Sequence, residues 1–425
     1  MSDIVTIQLD CGMPLIAQPI PNVASVALNW LIPAGSAMDP AHRDGQAAAL
    51  AEIIFRGTGT MTSREHSDAL DRLGVQRSSH NQTHHLQIEA TLLGSHLTDA
   101  LPLIAAMVTD PLIADDAVEP VRSLCLQSLE ALNDDPQHRA MLRLRERHRP
   151  PPFNRHGYGD PSVLETITGE ELREAWAQRS CPGGAILAAA GAVDLPELAR
   201  QLNASLGGFA GHVDEPAQLA DAARGYLHLP QDTAQVHIAL AYDAPPEAAA
   251  DSMLERLAVA VLSGSTSGRL FTEVRQKRSL CYSVAASYQA GRDTGLVALY
   301  AGTTPQRASD TLRVCAAEIE RLCDGVDADE FQRAVTGLKS RLIMQGESTP
   351  ARALALARDY FRLGRSRTLD ELAQSIEAIT LDELNRYLAR RQFGPFTVVS
   401  IGPDPLPSPV SSDNDSPPAP PPSPR

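Results

Sequence analysis

The stretch Gly45-Gln-Ala-Ala-Ala-Leu-Ala-Glu-Ile-Ile-Phe-Arg-Gly-Thr58 decides how the chain is read. Residues 45–55 are apolar nearly all round (Ala47, Ala48, Ala49, Leu50, Ile53, Ile54), which predicts a buried helix rather than one lying on a surface. Before it, residues 25–33 read as a strand ending in the turn Ala34-Gly-Ser-Ala37. After it, Ser63 is placed to cap a second helix, whose apolar Leu70 and Leu73 precede Gly74. Strands at 76–82 and 83–92 and a long helix at 97–108 close the unit. The same order returns about 210 residues later, a period far longer than the 20–50 residues of a solenoid. There, a strand at 235–242 is followed by an apolar helix at 251–262, a break at Gly264-Ser-Thr-Ser-Gly268 and a second helix at 269–277. Strands at 281–288 and 296–301 and a helix at 305–322 complete the repeat. Each half also ends on an apolar strand, 185–190 running into Gly191 and 396–401 into Gly402. The reading is α+β: two like-folded domains at 1–212 and 225–403, joined by a polar linker at 213–224.

Composition agrees with two sizeable cores. The chain has 425 residues, 43% of them hydrophobic, and 37 Lys plus Arg against 52 Asp plus Glu give a net charge of −15. Such an acidic balance argues against nucleic acid or an anionic membrane as partner. The longest apolar candidate for a membrane span, 185–195, is too short and is interrupted by Gly191, and the first ten residues carry no signal-peptide pattern, so a cytoplasmic location is expected. Six cysteines without a Cys-x-x-Cys pair read as reduced, mostly buried thiols. Ten of the 32 prolines lie from Pro403 onward, so 404–425 reads as a disordered or polyproline-like tail.

The segment 45–58 resembles the inverted zinc-motif segment of the pitrilysin/insulinase-like metallopeptidases, which include the mitochondrial processing peptidase. The resemblance extends over residues 3–403 and includes Gly191 with Val193-Asp194, Ser267-Gly-Arg-Leu-Phe-Thr-Glu-Val-Arg275, Leu280-Cys-Tyr-Ser-Val284 and Gly402-Pro403. It implies two homologous domains, each a mostly antiparallel sheet packed with helices, forming half of a clam shell. In active members the segment carries His-x-x-Glu-His, in which two histidines one helical turn apart aim at one metal and the Glu is the general base. Here Ala48 stands at the first His, Ala51 at the base and Glu52 at the second His. The third ligand, a Glu 76 residues after the second His, falls on Ser128 in a helix expected at 121–132. Alanine offers neither a lone pair nor a carboxylate, so no zinc site of the family type and no metal in this chain are expected.

The second half keeps what the first has lost. Substrate-side help in the family comes from an Arg and a Tyr seven positions apart, and Arg275 and Tyr282 have that spacing and context. A guanidinium fork holds a peptide carbonyl, and a phenol donates to the oxyanion of a tetrahedral intermediate. In the two-chain branch of the family one subunit carries the zinc motif while its partner lacks it and retains this pair. The resemblance therefore implies a non-catalytic subunit of a heterodimeric zinc peptidase acting on peptides, with zinc in the homologous partner. Two alternatives stay open: a catalytically dead scaffold of the same fold, and an independent hydrolase with a metal site rebuilt from Glu52, His80, His84 and His85, of which His80 and His84 would share a face on one continuous strand. The run Arg143-Leu-Arg-Glu-Arg-His-Arg149 reads as a solvated helix end.

Overall fold

A computed structural model describes residues 3–407, and the tail expected beyond 407 lies outside the described residues. The first half contributes β1 (Val5–Gln8), β2 (Pro14–Pro19), β3 (Ser25–Ile32), α1 (Gln46–Ile53), a short ribbon of β4 (Gly57–Thr58) and β5 (Met61–Thr62), α2 (Ser63–Arg72), β6 (Gln76–Asn81) and β7 (Leu86–Leu93). It continues with α3 (Leu97–Thr109), α4 (Asp115–Ala131), α5 (Pro136–His148), α6 (Pro161–Leu164), α7 (Gly169–Arg179), β8 (Ile186–Gly191) and α8 (Leu195–Ser205). The second half contains β9 (Tyr226–Pro230), β10 (Val236–Ala244), α9 (Ser252–Ser263), a π-helical segment (Phe271–Gln276), β11 (Cys281–Ala290) and β12 (Gly295–Thr303). Helices α10 (Ala308–Glu320), α11 (Ala328–Gly346), α12 (Thr349–Leu363), α13 (Leu369–Glu377) and α14 (Leu381–Arg390) precede the last strand, β13 (Thr397–Gly402).

The duplication is visible in the sheets. The first runs β6-β7-β3-β8-β2-β1 and the second β11-β12-β10-β13-β9, the same order with one extra edge strand. In both, one pair is parallel (β2 with β8, β9 with β13) and the rest are antiparallel. Strand alternation sends large side chains to one face, such as Leu28, Trp30 and Ile32 of β3 or Ile238, Leu240 and Tyr242 of β10, where each half builds its own core.

The opposite faces carry small residues, and each is covered by a helix from the other half. Ala353, Leu356 and Ala357 of α12 pack on Ala27, Ala188 and Ala190 of the first sheet. Ala140 and Leu144 of α5 pack on Ala239, Ala241 and Ala298 of the second. Alanines on both sides let helix and sheet approach closely, and the exchange means that neither sheet buries both faces without the other half.

Local readings need four corrections. Thr62, not Ser63, caps α2: its hydroxyl accepts from Glu65 N–H while the Glu65 carboxylate accepts from Thr62 N–H, a capping box that leaves Ser63 as the first helical residue. The helix expected at 305–322 is α only over α10, with short 3₁₀ turns on either side. The basic run at 143–149 is only partly solvated: Arg143 is exposed and pairs with Glu146, whereas Arg145 and Arg147 of the exchanged α5 reach loop oxygens. Arg147 Nε donates to Arg224 O at 3.0 Å, and Arg145 donates to Arg155 O and Thr83 Oγ1. The first tail residues are also packed: Leu406 is buried and its N–H donates to the Tyr226 hydroxyl at 2.6 Å. Among the described residues, no helix is long and apolar enough to cross a membrane.

Candidate functional site

Helix α1 is held at its N-terminus by a buried brace. The Asp39 carboxylate accepts from Gly45 N–H at 2.9 Å and Ala47 N–H at 3.0 Å and pairs with Arg179 at 2.7 Å, while Arg179 also donates to Gln46 Oε1 at 2.7 Å. An anion at the start of a helix complements its free N–H groups. The helix lies between β6, whose Ser79 hydroxyl donates to Ala51 O at 2.6 Å, and α4, which carries Ser128. On it Ala48 is half-buried, Ala51 is buried and Glu52 is exposed.

Ser128 is exposed and its hydroxyl donates to Leu124 O of its own helix at 2.9 Å. One turn earlier, burial pushes the Cys125 thiol up to about 12, with the Glu52 carboxylate adding to the rise, which places Glu52 beside α4. The family's zinc-site positions therefore stand on two neighbouring helices, but they present two methyl groups, one carboxylate and one hydroxyl already used. Zinc needs three or four nitrogen, sulfur or carboxylate ligands, and these residues do not fit it. Among the described residues, no group of three His, Cys, Asp or Glu converges on a metal position.

The histidines do not repair this site. His80 is the penultimate residue of β6 and lies next to the Ser78 hydroxyl, whereas His84 and His85 sit in the turn before β7, so His80 and His84 are not on one continuous strand. Chain reversal at 82–85 carries the two later rings onto Phe361 of the exchanged α12, at centroid distances of 5.3 and 4.5 Å. Burial holds both neutral, His84 down to about 4 and His85 to about 3.

At the free edge of the second sheet, Arg275 and Tyr282 are placed by three irregularities. Arg275 lies not in an α-helix but in the π-helical segment, a form common near functional sites. Ser279, between the two residues, takes φ +52°, a turn held by Arg307 donating to its carbonyl at 2.5 Å. Tyr282 is the extra residue of a β-bulge: Cys281 pairs with Thr303 and Ser283 with Gly302. A bulge re-aims a side chain, and here the Tyr282 ring lies over Gly302, 44% exposed, with its hydroxyl donating to Gln235 Oε1 at 2.7 Å.

Behind it, burial raises the Tyr300 phenol, which also interacts with the Tyr282 hydroxyl and shares a hydrogen bond with His237 Nδ1 at 2.8 Å. Arg275 is exposed and stacks on Phe271 at 5.0 Å. Its neighbours are all engaged, Arg269 with Glu330 and both Lys277 and Arg278 with Glu273. Among the described residues, the Arg275 guanidinium has no carboxylate or hydrogen-bond partner. This guanidinium opposes the rise that burial gives the Cys281 thiol, at the start of the strand that carries Tyr282. Gln235, Gly302 and Phe271 escape a sequence reading because each acts only as a neighbour across strands or a turn. The one available signal is Gly302, a glycine inside an otherwise apolar strand, which marks close approach by another group.

Two family models match the chain in succession: "Insulinase (Peptidase family M16)" over residues 15–152 and "Peptidase M16 inactive domain" over 166–338. The chain belongs to the insulinase (M16) peptidase family. Among relatives, an uncharacterized zinc protease of Mycobacterium tuberculosis is 27% identical over 401 residues, covering 90% of each chain. A zinc protease of Bacillus subtilis is 24% identical over 396 residues, covering 90% of this chain and 94% of its own. Among solved structures, a peptidase M16 inactive domain from Pseudomonas fluorescens superposes with a TM-score of 0.86 at 18% identity, covering 95% of this chain and 99% of that one. A protease from Helicobacter pylori gives 0.84 at 17% identity, covering 94% and 100%. These likenesses establish the two-domain M16 fold for the described chain.

Proposed function

We propose that this M16 chain is the non-catalytic subunit of a two-chain zinc peptidase. Its partner would be a homologous subunit that carries the zinc, and the pair would close around an extended peptide. This chain would supply Arg275 and Tyr282 in trans, Arg275 to grip a substrate carbonyl and Tyr282 to donate to the oxyanion as it forms. Substrate would then displace Gln235 from the Tyr282 hydroxyl.

The observation that carries the reading is a contrast within one chain. The zinc positions Ala48, Ala51 and Ser128 hold nothing that binds metal or takes a proton, while Arg275 is exposed and unpaired beside three engaged cations. The M16 relatives named zinc proteases and the inactive-domain neighbour are consistent with a family containing both kinds of chain. The test is to mix the purified chain with a zinc-motif M16 subunit from the same organism. A stable complex that cleaves peptides faster than the zinc subunit alone supports the proposal. A complex without any gain in cleavage favours the scaffold reading, and no complex refutes both.

A further inference from the structure

A second site lies away from the Arg275/Tyr282 edge. A cavity of about 480 Å³ opens between α9, α11, α12 and α13, within the size range of small-molecule pockets. Six guanidinium groups line it (Arg256, Arg341, Arg352, Arg358, Arg362 and Arg367) against two carboxylates, Glu247 and Asp359. This is the reverse of a chain whose net charge is −15. Glu247, 4% exposed, is shared by three of them: Arg367 at 2.7 Å, Arg256 at 2.9 Å and Arg362 at 3.8 Å. Asp359 is taken by Arg367, Arg352 is engaged with Gln18 and Arg367 O, and Arg341 donates to Gly264 O.

Two cations are left over. Arg358 has no hydrogen-bond or ion-pair partner among the described residues, and Arg362 reaches only the distant edge of an overcommitted carboxylate. They stand four residues apart on one face of α12. The two guanidinium groups repel one another, Arg358 is exposed, and Glu89, the carboxylate that acts on Arg358, is not part of the cavity lining, so the cavity itself keeps an excess of positive charge. The facing wall is apolar, from Leu338 and Leu342 of α11 and Leu369, Leu372 and Ile376 of α13.

We propose that this cavity binds a small amphiphilic anion, with a carboxylate or phosphate headgroup on Arg358 and Arg362 and its apolar body along the leucines of α11 and α13. A guanidinium fork suits either headgroup. Because α12 also covers the first sheet, occupancy would brace the helix that joins the two halves.

The test uses the full chain and calorimetric titration with decanoate, decyl phosphate, 1-decanol and inorganic phosphate. Saturable 1:1 binding of at least one of the two decyl anions is expected, with 1-decanol about tenfold or more weaker and inorganic phosphate competing. The tighter of the two decyl anions identifies the headgroup. Arg358→Gln, which breaks no bond in the folded chain, is expected to weaken that ligand about tenfold without moving the melting temperature of the free protein. Arg362→Gln is the second probe. Leu342→Ser is expected to weaken the decyl anions while leaving inorganic phosphate unchanged. Binding of 1-decanol as tight as the anions, undiminished binding to both folded arginine variants, or no saturable binding would overturn the proposal.

Discussion

Gly302→Ala separates the positioning of Tyr282 from the stability of the fold. A Cβ at residue 302 would stand 2.5 Å from both Cζ and Oη of Tyr282 and 2.8 Å from Cε2. Carbon contacts are comfortable near about 3.5–4.0 Å, so the far end of the ring must move by about 1 Å or more. It can do so cheaply, because Tyr282 is 44% exposed and only its tip is bonded. The loss is one neutral hydrogen bond to Gln235, about 0.5–1.5 kcal/mol. Alanine in place of glycine stabilises by about 0.4–1 kcal/mol through the unfolded chain where the backbone angles permit it. The two nearly cancel, and guanidinium unfolding should find the variant within about 1 kcal/mol of the parent. Cleavage by the complex with a zinc-bearing subunit should fall as far as in Tyr282→Phe, about tenfold or more. The double variant should be no worse than either single one. Full activity in Gly302→Ala, or losses that add in the double variant, would refute the placement of Tyr282 by this close approach.

Other consequences concern the scaffold and the lost metal site. His148 is buried, sharing a hydrogen bond with Thr397 Oγ1 at 2.9 Å, and burial lowers it to about 4; His85 is likewise lowered to about 3. Both fold as neutral rings, so their contribution is complete above about pH 6.5 and is lost as the pH falls toward those values. Each should add about 1.4 kcal/mol per pH unit to the slope of stability in that window. Removing one with His148→Gln should flatten the slope measured by denaturant midpoints between pH 6 and 4.5; an unchanged slope would contradict the assignment. Installing Ala48→His, Ala51→Glu, Glu52→His and Ser128→Glu together should give about one zinc per chain by metal analysis. A folded quadruple variant without zinc would show that the four positions do not converge. Ala357→Leu should overpack the contact of α12 with β8 and cost about 1–3 kcal/mol, read as a lower melting temperature for a single transition. Two separate transitions would mean that the halves do not depend on the exchanged helices.

The α+β class, the repeat and most strands were legible because hydrophobic alternation and apolar runs recur in the same order in both halves. The loss of zinc ligands was legible residue by residue, since an alanine at Ala48 or Ala51 leaves no chemistry to interpret. The exchange of α5 and α12 was not, because alanines such as Ala188 and Ala241 count only as apolar until a helix is seen against them. A charge run such as 143–149 likewise says nothing about which carbonyls await it. Arg275 and Tyr282 could be picked out only through the family resemblance, and the π-helical turn, the bulge and Gly302 around them depend on backbone irregularity and cross-strand register. The arginine cavity is scattered over residues 247–376 and has no sequence signature at all.

The most direct measurement of the central claim is the kcat/KM of peptide cleavage by a preformed complex with a zinc-bearing M16 subunit, comparing the parent chain with Arg275→Ala/Tyr282→Phe. Complex affinity and zinc content should be held equal. The account predicts a fall of about a hundredfold in the double variant with assembly unchanged. Equal rates would contradict it and leave this chain a scaffold.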